Sequence, residues 1–189
     1  LQQGKTQEVE NLVRSAVEEG TEVGKILEEG LIGGMNVVGA RFRDRKIFLP
    51  HVLLAAKAMN KGMEILRPLL EQNELPVVGK VVLGTVAGDL HDIGKNLVSI
   101  MLKGAGFEVI DLGIDVPARR FVEEAITYQA DVIGMSALLT TTMPEMKQVI
   151  ELLRERPDAK QIRTVVGGAP VTQDFATEIG ADGYGYDGS

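Results

Sequence analysis

The chain has no cysteine and only two histidines in 189 residues, and this scarcity narrows the available chemistry before any motif is read. Without cysteine there is no disulfide framework, which agrees with a cytoplasmic location. A closed zinc site takes four nitrogen, sulfur or oxygen ligands, and His51 and His91 fall short of that set. Positive charge is also lacking. The formal net charge is −7 with no basic stripe, which argues against a nucleic-acid partner or an anionic membrane surface. No apolar run approaches the roughly 20 residues needed to span a bilayer, and the first residues do not have the pattern of a signal peptide. The start at Leu1, without a Met, reads as a trimmed fragment.

What is present suffices for real cores: 44% of the residues are hydrophobic, enough for one large domain or for a small domain beside a medium one. The pattern changes near residue 75. Before it, Val9, Leu12, Val13, Ala16 and Val17 form one helical stripe that Gly20 stops. A second helical run carries Val23, Ile26, Leu27, Leu31, Met35, Val38 and Phe42. A third opens at Pro50 and repeats Val52, Ala56, Met59, Met63, Leu66 and Leu70 at steps of three and four, the seam of a packed bundle. The stretch from Gln72 to Gly79, with Asn73 and Pro76, reads as a linker. The spacing therefore predicts a helical bundle over 1–74 and a second domain over 75–189.

That second domain alternates. Strands are predicted at 80–86, 107–112, 131–136, 163–167 and 182–184, with helices at 94–104, 117–129, 141–155 and 171–179. The strands are rich in Val and Ile and show little alternation, as in a parallel sheet covered on both faces. Five strands with helical crossovers predict an α/β, flavodoxin-like (Rossmann-type) sheet in the order 2-1-3-4-5. Ligands bind such sheets at the switch point between strands one and three.

The loop after strand one, Gly88-Asp89-Leu90-His91-Asp92-Ile93-Gly94-Lys95, sits there. It carries a histidine with a carboxylate two residues earlier. A ligating imidazole usually gives its other N–H to a carboxylate, which fixes the tautomer, and Asp89 is spaced to do this for His91. One imidazole suits a metal that arrives with its other ligands already in place, as in a macrocycle. The loop after strand three brings Ser136, Leu138 and Thr140 to the same crevice, and Gly167-Gly168 after strand four leaves backbone bare for a bulky ligand. Met35, Met59 and Met63 read as bundle core, and His51 as a local packing residue.

Three other readings fail. A phosphate loop needs four residues between its glycines and a Ser or Thr after the Lys, whereas five residues separate Gly88 from Gly94, Asn96 follows Lys95, and Asp89 and Asp92 would repel phosphate. A receiver domain needs a Lys after the fifth strand, and none follows Lys160. A flavodoxin wants a Ser/Thr-rich first loop, and this one is acidic.

Asp89-Leu90-His91-Asp92-Ile93-Gly94, Ser136-Ala137-Leu138 and Gly167-Gly168 together resemble the D-x-H-x-x-G, S-x-L and G-G motifs of cobalamin-binding domains. Gly30-Leu31-Ile32-Gly33-Gly34-Met35 and Phe48-Leu49-Pro50-His51-Val52 resemble the helical cap found in the same proteins, cobalamin-dependent methionine synthase among them. Ser136 to Met143 is most similar to the small methyl-carrier corrinoid proteins of the methylamine and methanol methyltransferase systems. By that resemblance the first cap helix is mostly missing, as is the last helix of the sheet domain beyond Tyr184-Gly185-Tyr186-Asp187.

The resemblance implies cobalamin, as methylcobalamin when loaded, bound with its own base off cobalt. His91 would be the lower ligand, Asp89 its hydrogen-bond partner, and Ser136 the next member of that relay. Gly88, Leu90, Asp92, Ile93, Gly94, Leu138, Thr140, Gly167, Gly168 and Tyr186 would complete the cofactor site, with Met35 contributed by the cap. It further implies a carrier that is no enzyme on its own. Its partners would be a donor-specific methyltransferase, an acceptor methyltransferase using a folate or a thiol, and a reductive activation protein. An adenosylcobalamin mutase module would need a large barrel, and a cobalamin-dependent sensor would need an output domain; neither is visible here.

Overall fold

The amphipathic stripe of the first segment becomes α1 (Thr6–Glu18), which buries Val9 and Val13. Gly20, at φ 76°, then turns the chain back. The computed structural model describes residues 1–72 and 78–186. The linker read at 72–79 therefore falls mostly outside the described residues, as does Asp187. The second helical run is not one uniform helix. A single turn, α2 (Val23–Lys25), passes into a π-helix over Ile26–Ile32 before α3 (Gly33–Arg43) resumes the α repeat. A π segment widens the turn and shifts the register of later side chains, so a strict 3.6-residue pattern misses it.

The long helix α4 (Leu49–Gln72) carries Pro50 in its first turn. The N–H of Phe48 donates to His51 Nδ1 at 3.3 Å, so His51 caps this end locally. The buried face of α4 is Val52, Ala55, Ala58, Met59 and Leu66, while Ala56 and Met63 are only half-buried. Small residues set this packing. A Cβ placed on Gly62 would lie 2.9 Å from Leu31 Cδ2 and 3.3 Å from Val13 Cγ2, so a larger residue would force the helices apart.

Beyond the helices, segments containing Val, Ile or Thr form β1 (Lys80–Thr85), β2 (Glu108–Asp111), β3 (Val132–Ser136) and β4 (Arg163–Gly167), and Gly-Tyr-Gly forms the short β5 (Gly183–Gly185). They pair in parallel in the order β2-β1-β3-β4-β5. The intervening helices are α5 (Ile93–Gly104), α6 (Ala118–Thr127), α7 (Pro144–Arg154) and α8 (Gln173–Ile179). Thr172 caps α8 by accepting the Phe175 N–H, and Gly180 ends it at φ 75°. One core joins Val82, Ile133 and Val166 of the sheet to Phe121 and Val122 of α6 and to Met146, Val149 and Ile150 of α7.

At the amino ends of the strands, carboxylates pin the ladder. Asp131 Oδ2 accepts the Lys80 N–H at 2.7 Å, and Asp182 Oδ2 accepts the Thr164 N–H and hydroxyl at 2.8 and 3.0 Å. By contacts the chain divides into two units, Leu1–Val78 with Ile100–Phe107 and Gly79–Ser99 with Glu108–Gly188. Among the described residues no helix is long and apolar enough to cross a membrane.

Candidate functional site

Strand register carves a groove across the carboxyl half of the sheet. Leu83, Gly134 and Val165 stand in one row, and Thr85, Ser136, Gly167 and Gly185 in the row two residues on. Glycine at three of these seven positions, Gly134, Gly167 and Gly185, leaves gaps in the side-chain cover of the sheet face. The result is a cavity of about 550 Å³, with Leu83, Val98 and Val165 in its apolar wall. Gly134 and Gly168 cannot be enlarged freely. A Cβ on Gly134 would lie 2.8 Å from Leu83 Cδ1, and one on Gly168, at φ 131°, would overlap the Ala137 carbonyl.

The loop between β1 and α5 overhangs this groove. The Asp89 side chain is fully buried and accepts from two sides. Its Oδ1 faces His91, 2.7 Å from the ring Nδ1 and 3.1 Å from the backbone N–H. Its Oδ2 accepts the N–H groups of Leu138 and Leu139 at 2.7 and 3.2 Å and the Thr142 hydroxyl at 2.8 Å. Burial alone would raise the Asp89 carboxyl, but the hydrogen bonds from Leu138, His91 and Thr142 outweigh it and hold the group well below the usual carboxylate range. An ionised carboxylate only accepts, so the proton of a neutral ring sits on Nδ1. Nε2 then keeps its lone pair. The ring is 51% exposed and lines the cavity, and among the described residues Nε2 has no hydrogen-bond partner.

The rest of the loop is fixed as firmly. Thr85 Oγ1 donates to the His91 carbonyl at 2.8 Å. Lys95, buried at the start of α5, donates from Nζ to both oxygens of Asp111 at 2.7 and 2.6 Å and to Asn96 Oδ1 at 2.7 Å. This ties the first turn of α5 to the end of β2. Asp92 Oδ2 accepts from Asn96 Nδ2 at 3.0 Å across the same turn.

Of the residues read from the sequence, Leu90, His91, Asp92, Ile93, Gly94, Ser136, Leu138, Gly167, Gly168 and Tyr186 all line the cavity. Asp89 lies behind them as the partner of His91. Three are placed elsewhere. Gly88, at φ 75°, shapes the loop without lining the groove. Thr140 is exposed in the turn after β3 and is also off the lining. Met35 is 2% exposed inside the helical unit, close to Gly104, and offers no free surface there.

The relay assigned to Ser136 needs correction. Among the described residues Ser136 makes no side-chain hydrogen bond to Asp89 or His91, and the hydroxyl on Asp89 belongs to Thr142. The turn that closes with the Thr142 N–H on the Leu139 carbonyl carries this side chain back over Asp89. Within the run Thr140-Thr141-Thr142 only that turn singles out the third residue.

A flat or elongated ligand carrying a metal with one open position fits a groove of this kind: bare glycine floor, apolar walls and a single imidazole lone pair at the rim. Among the described residues no cluster of three or more His, Cys, Asp or Glu could hold a bare ion.

Known proteins point the same way. A B12-binding-domain family model matches residues 79–188, and a second model of that description matches residues 1–67. The chain is 52% identical over 161 residues to dimethylamine corrinoid protein 1 of Methanosarcina acetivorans, covering 85% of this chain and 76% of that one. It is 48% identical over 182 residues to trimethylamine corrinoid protein 1 of the same organism, covering 93% and 84%. Among solved structures, the methanol:cobalamin methyltransferase complex of Methanosarcina barkeri superposes with a TM-score of 0.84 at 33% identity, over 99% of this chain and 71% of that one. A cobalamin-binding protein of Desulfitobacterium hafniense gives 0.82 at 28% identity, over 98% and 88%. The chain therefore belongs to the family of B12-binding corrinoid proteins, and cobalamin is its cofactor.

Proposed function

We propose that this protein binds cobalamin base-off and His-on and carries a methyl group between two methyltransferases, one specific for the donor and one for the acceptor. The observation that carries the reading is the His91 ring, tied through Nδ1 to a buried carboxylate with Nε2 free at the rim of the groove. When bound, cobalamin supplies a cobalt atom able to take up and release a methyl group. The chain's own residues bind and orient. Asp89 keeps the proton on Nδ1, so that Nε2 remains a donor, and its charge makes that donor stronger. Leu138, Leu139 and Thr142 hold Asp89 in place. Leu90, Ile93 and Leu138 stand 67%, 76% and 43% exposed around His91, an apolar rim suited to the face of a flat macrocycle. The glycine-floored groove would house the displaced nucleotide base.

Catalysis would rest with the partners, as in the corrinoid subunits of methyltransferase systems that this chain resembles. Similarity to dimethylamine and trimethylamine corrinoid proteins supports a methylated amine as donor. A folate or thiol acceptor and a reductive activation partner complete the reading. The experiment is reconstitution of the parent and of His91→Ala with methylcobalamin under anaerobic conditions. The parent should show a base-off, His-ligated spectrum that the variant lacks, and should lose its methyl group when a methylamine-system acceptor methyltransferase and acceptor are added. Identical spectra, or no transfer, would refute the corresponding half of the proposal.

A further inference from the structure

Asp115 lies on the loop between β2 and α6, far in sequence from the histidine loop, and its backbone stands at φ 52°. Few residues other than glycine accept that region, and Asp and Asn are the usual exceptions. The conformation turns two groups of one residue toward the histidine loop. The Asp115 N–H donates to the Asp89 carbonyl at 3.1 Å, and Asp115 Oδ1 accepts the Gly88 N–H at 2.7 Å. These reciprocal bonds bracket the Cα of Asp89. The neighbouring chain is held alongside: the Thr85 N–H donates to Gly113 O and the Val116 N–H to Thr85 O, each at 3.0 Å.

We propose that Asp115 is a positioning residue for the axial ligand: it clamps the backbone from which the Asp89 carboxylate reaches His91, and so sets how well Nε2 is presented to the metal. The proposal rests on the His91 reading above and adds to it a residue outside both the motif and the cavity lining. The physical reason is leverage. Asp89 must keep its Oδ2 in reach of Leu138, Leu139 and Thr142 while Oδ1 meets the His91 ring, and a small rotation about its Cα breaks one set or the other. Three donors hold Oδ2, including the buried Thr142 hydroxyl, whereas the His91 ring is half-exposed and free to turn, so the His91 contact would give way first.

The test uses the whole chain and three variants that separate backbone from side chain. Asp115→Asn keeps an acceptor and tolerates the left-handed backbone. Asp115→Gly keeps the backbone and loses the acceptor. Asp115→Ala loses both. In the protein without corrinoid, hydrogen exchange at the Gly88 amide reads the clamp itself; after reconstitution with methylcobalamin, corrinoid affinity and the His-ligated fraction read its consequence. Exchange should be near the parent's in Asp115→Asn and faster in the other two, whose corrinoid affinity should fall about tenfold with the loss of one charge-assisted hydrogen bond. Parental affinity and ligation in Asp115→Gly would overturn the proposal. So would a loss in Asp115→Asn as large as in Asp115→Ala, because charge would then be the cause. His91→Ala run alongside keeps the two ideas apart: if it matches the parent spectrum, the ligand reading fails, while Gly88 exchange still judges the clamp.

Discussion

The two ends of the sheet use one device for different purposes. At the amino end, Asp131 and Asp182 accept backbone N–H groups from β1 and β4 and lock strand to loop. At the carboxyl end, Asp89 accepts backbone N–H groups from Leu138 and Leu139, but its other oxygen orients a side chain that faces a cavity. Asp182 is exposed and paired with Arg163, so water can replace what it gives. Asp89 is 0% exposed, and nothing can replace it. A carboxylate taken wholly out of water, supplied with donors on every side and aimed at a half-exposed imidazole therefore marks function, where the same residue type at a surface marks architecture.

Removing both kinds of carboxylate tests that contrast. Asp89→Ala strands the Leu138 and Leu139 N–H groups and the Thr142 hydroxyl, and should cost about 3 kcal/mol or more in urea denaturation while abolishing histidine ligation. Asp182→Ala should cost about 1 kcal/mol and leave the corrinoid spectrum unchanged. Equal losses from the two would erase the distinction.

A sharper comparison lies within the site. Thr142→Val keeps the shape and deletes the donor to Asp89 Oδ2, which should cost about 1–2 kcal/mol and weaken histidine ligation. Ser136→Ala should stay within about 0.5 kcal/mol of the parent in stability and leave the Asp89–His91 pair intact. The reverse ranking would return the relay to Ser136.

The smallest effect is one of pH. Burial pushes the Asp182 carboxyl up, but the Thr164 N–H, the Arg163 guanidinium and the Thr164 hydroxyl outweigh it and hold the group below its ordinary value. A lowered native value stabilises the fold fully above the unfolded value of about 3.9, and that stabilisation is lost as pH falls through the native value. Parent and Asp182→Asn should therefore differ in thermal midpoint at neutral pH and converge below about pH 4. A constant offset would assign the effect to something other than ionisation.

The sheet was legible because buried parallel strands are spelled in short apolar runs without polar alternation, such as Val81-Val82-Leu83 in β1 and Val132 to Met135 in β3. The Asp89–His91 pair was legible because its spacing is local. What the sequence concealed is either small or remote. Ala55, Ala58 and Gly62 make the tight seam of α4, but the alanines at 55, 56 and 58 are identical in kind, and Gly62 carries no side chain to count beside Met63. The π-helix over Ile26–Ile32 breaks the period on which the helix reading depends. Thr142 reaches Asp89 only after a turn has closed, and Asp115 only by adopting a left-handed backbone, and neither event has a spacing to read. Met35 was drawn into the site by likeness to a helical cap, whereas its side chain is buried within the helical unit.

The central claim, that His91 Nε2 is the lower ligand of the corrinoid cobalt, has a direct spectroscopic measure. Protein grown with ¹⁵N-labelled histidine and reconstituted with unlabelled cobalamin in the paramagnetic Co(II) state should show a doublet superhyperfine pattern in its electron paramagnetic resonance spectrum, from one axial ¹⁵N, and His91→Ala should lose it. A triplet from ¹⁴N in the labelled protein would place the cofactor's own base on the metal and contradict the account.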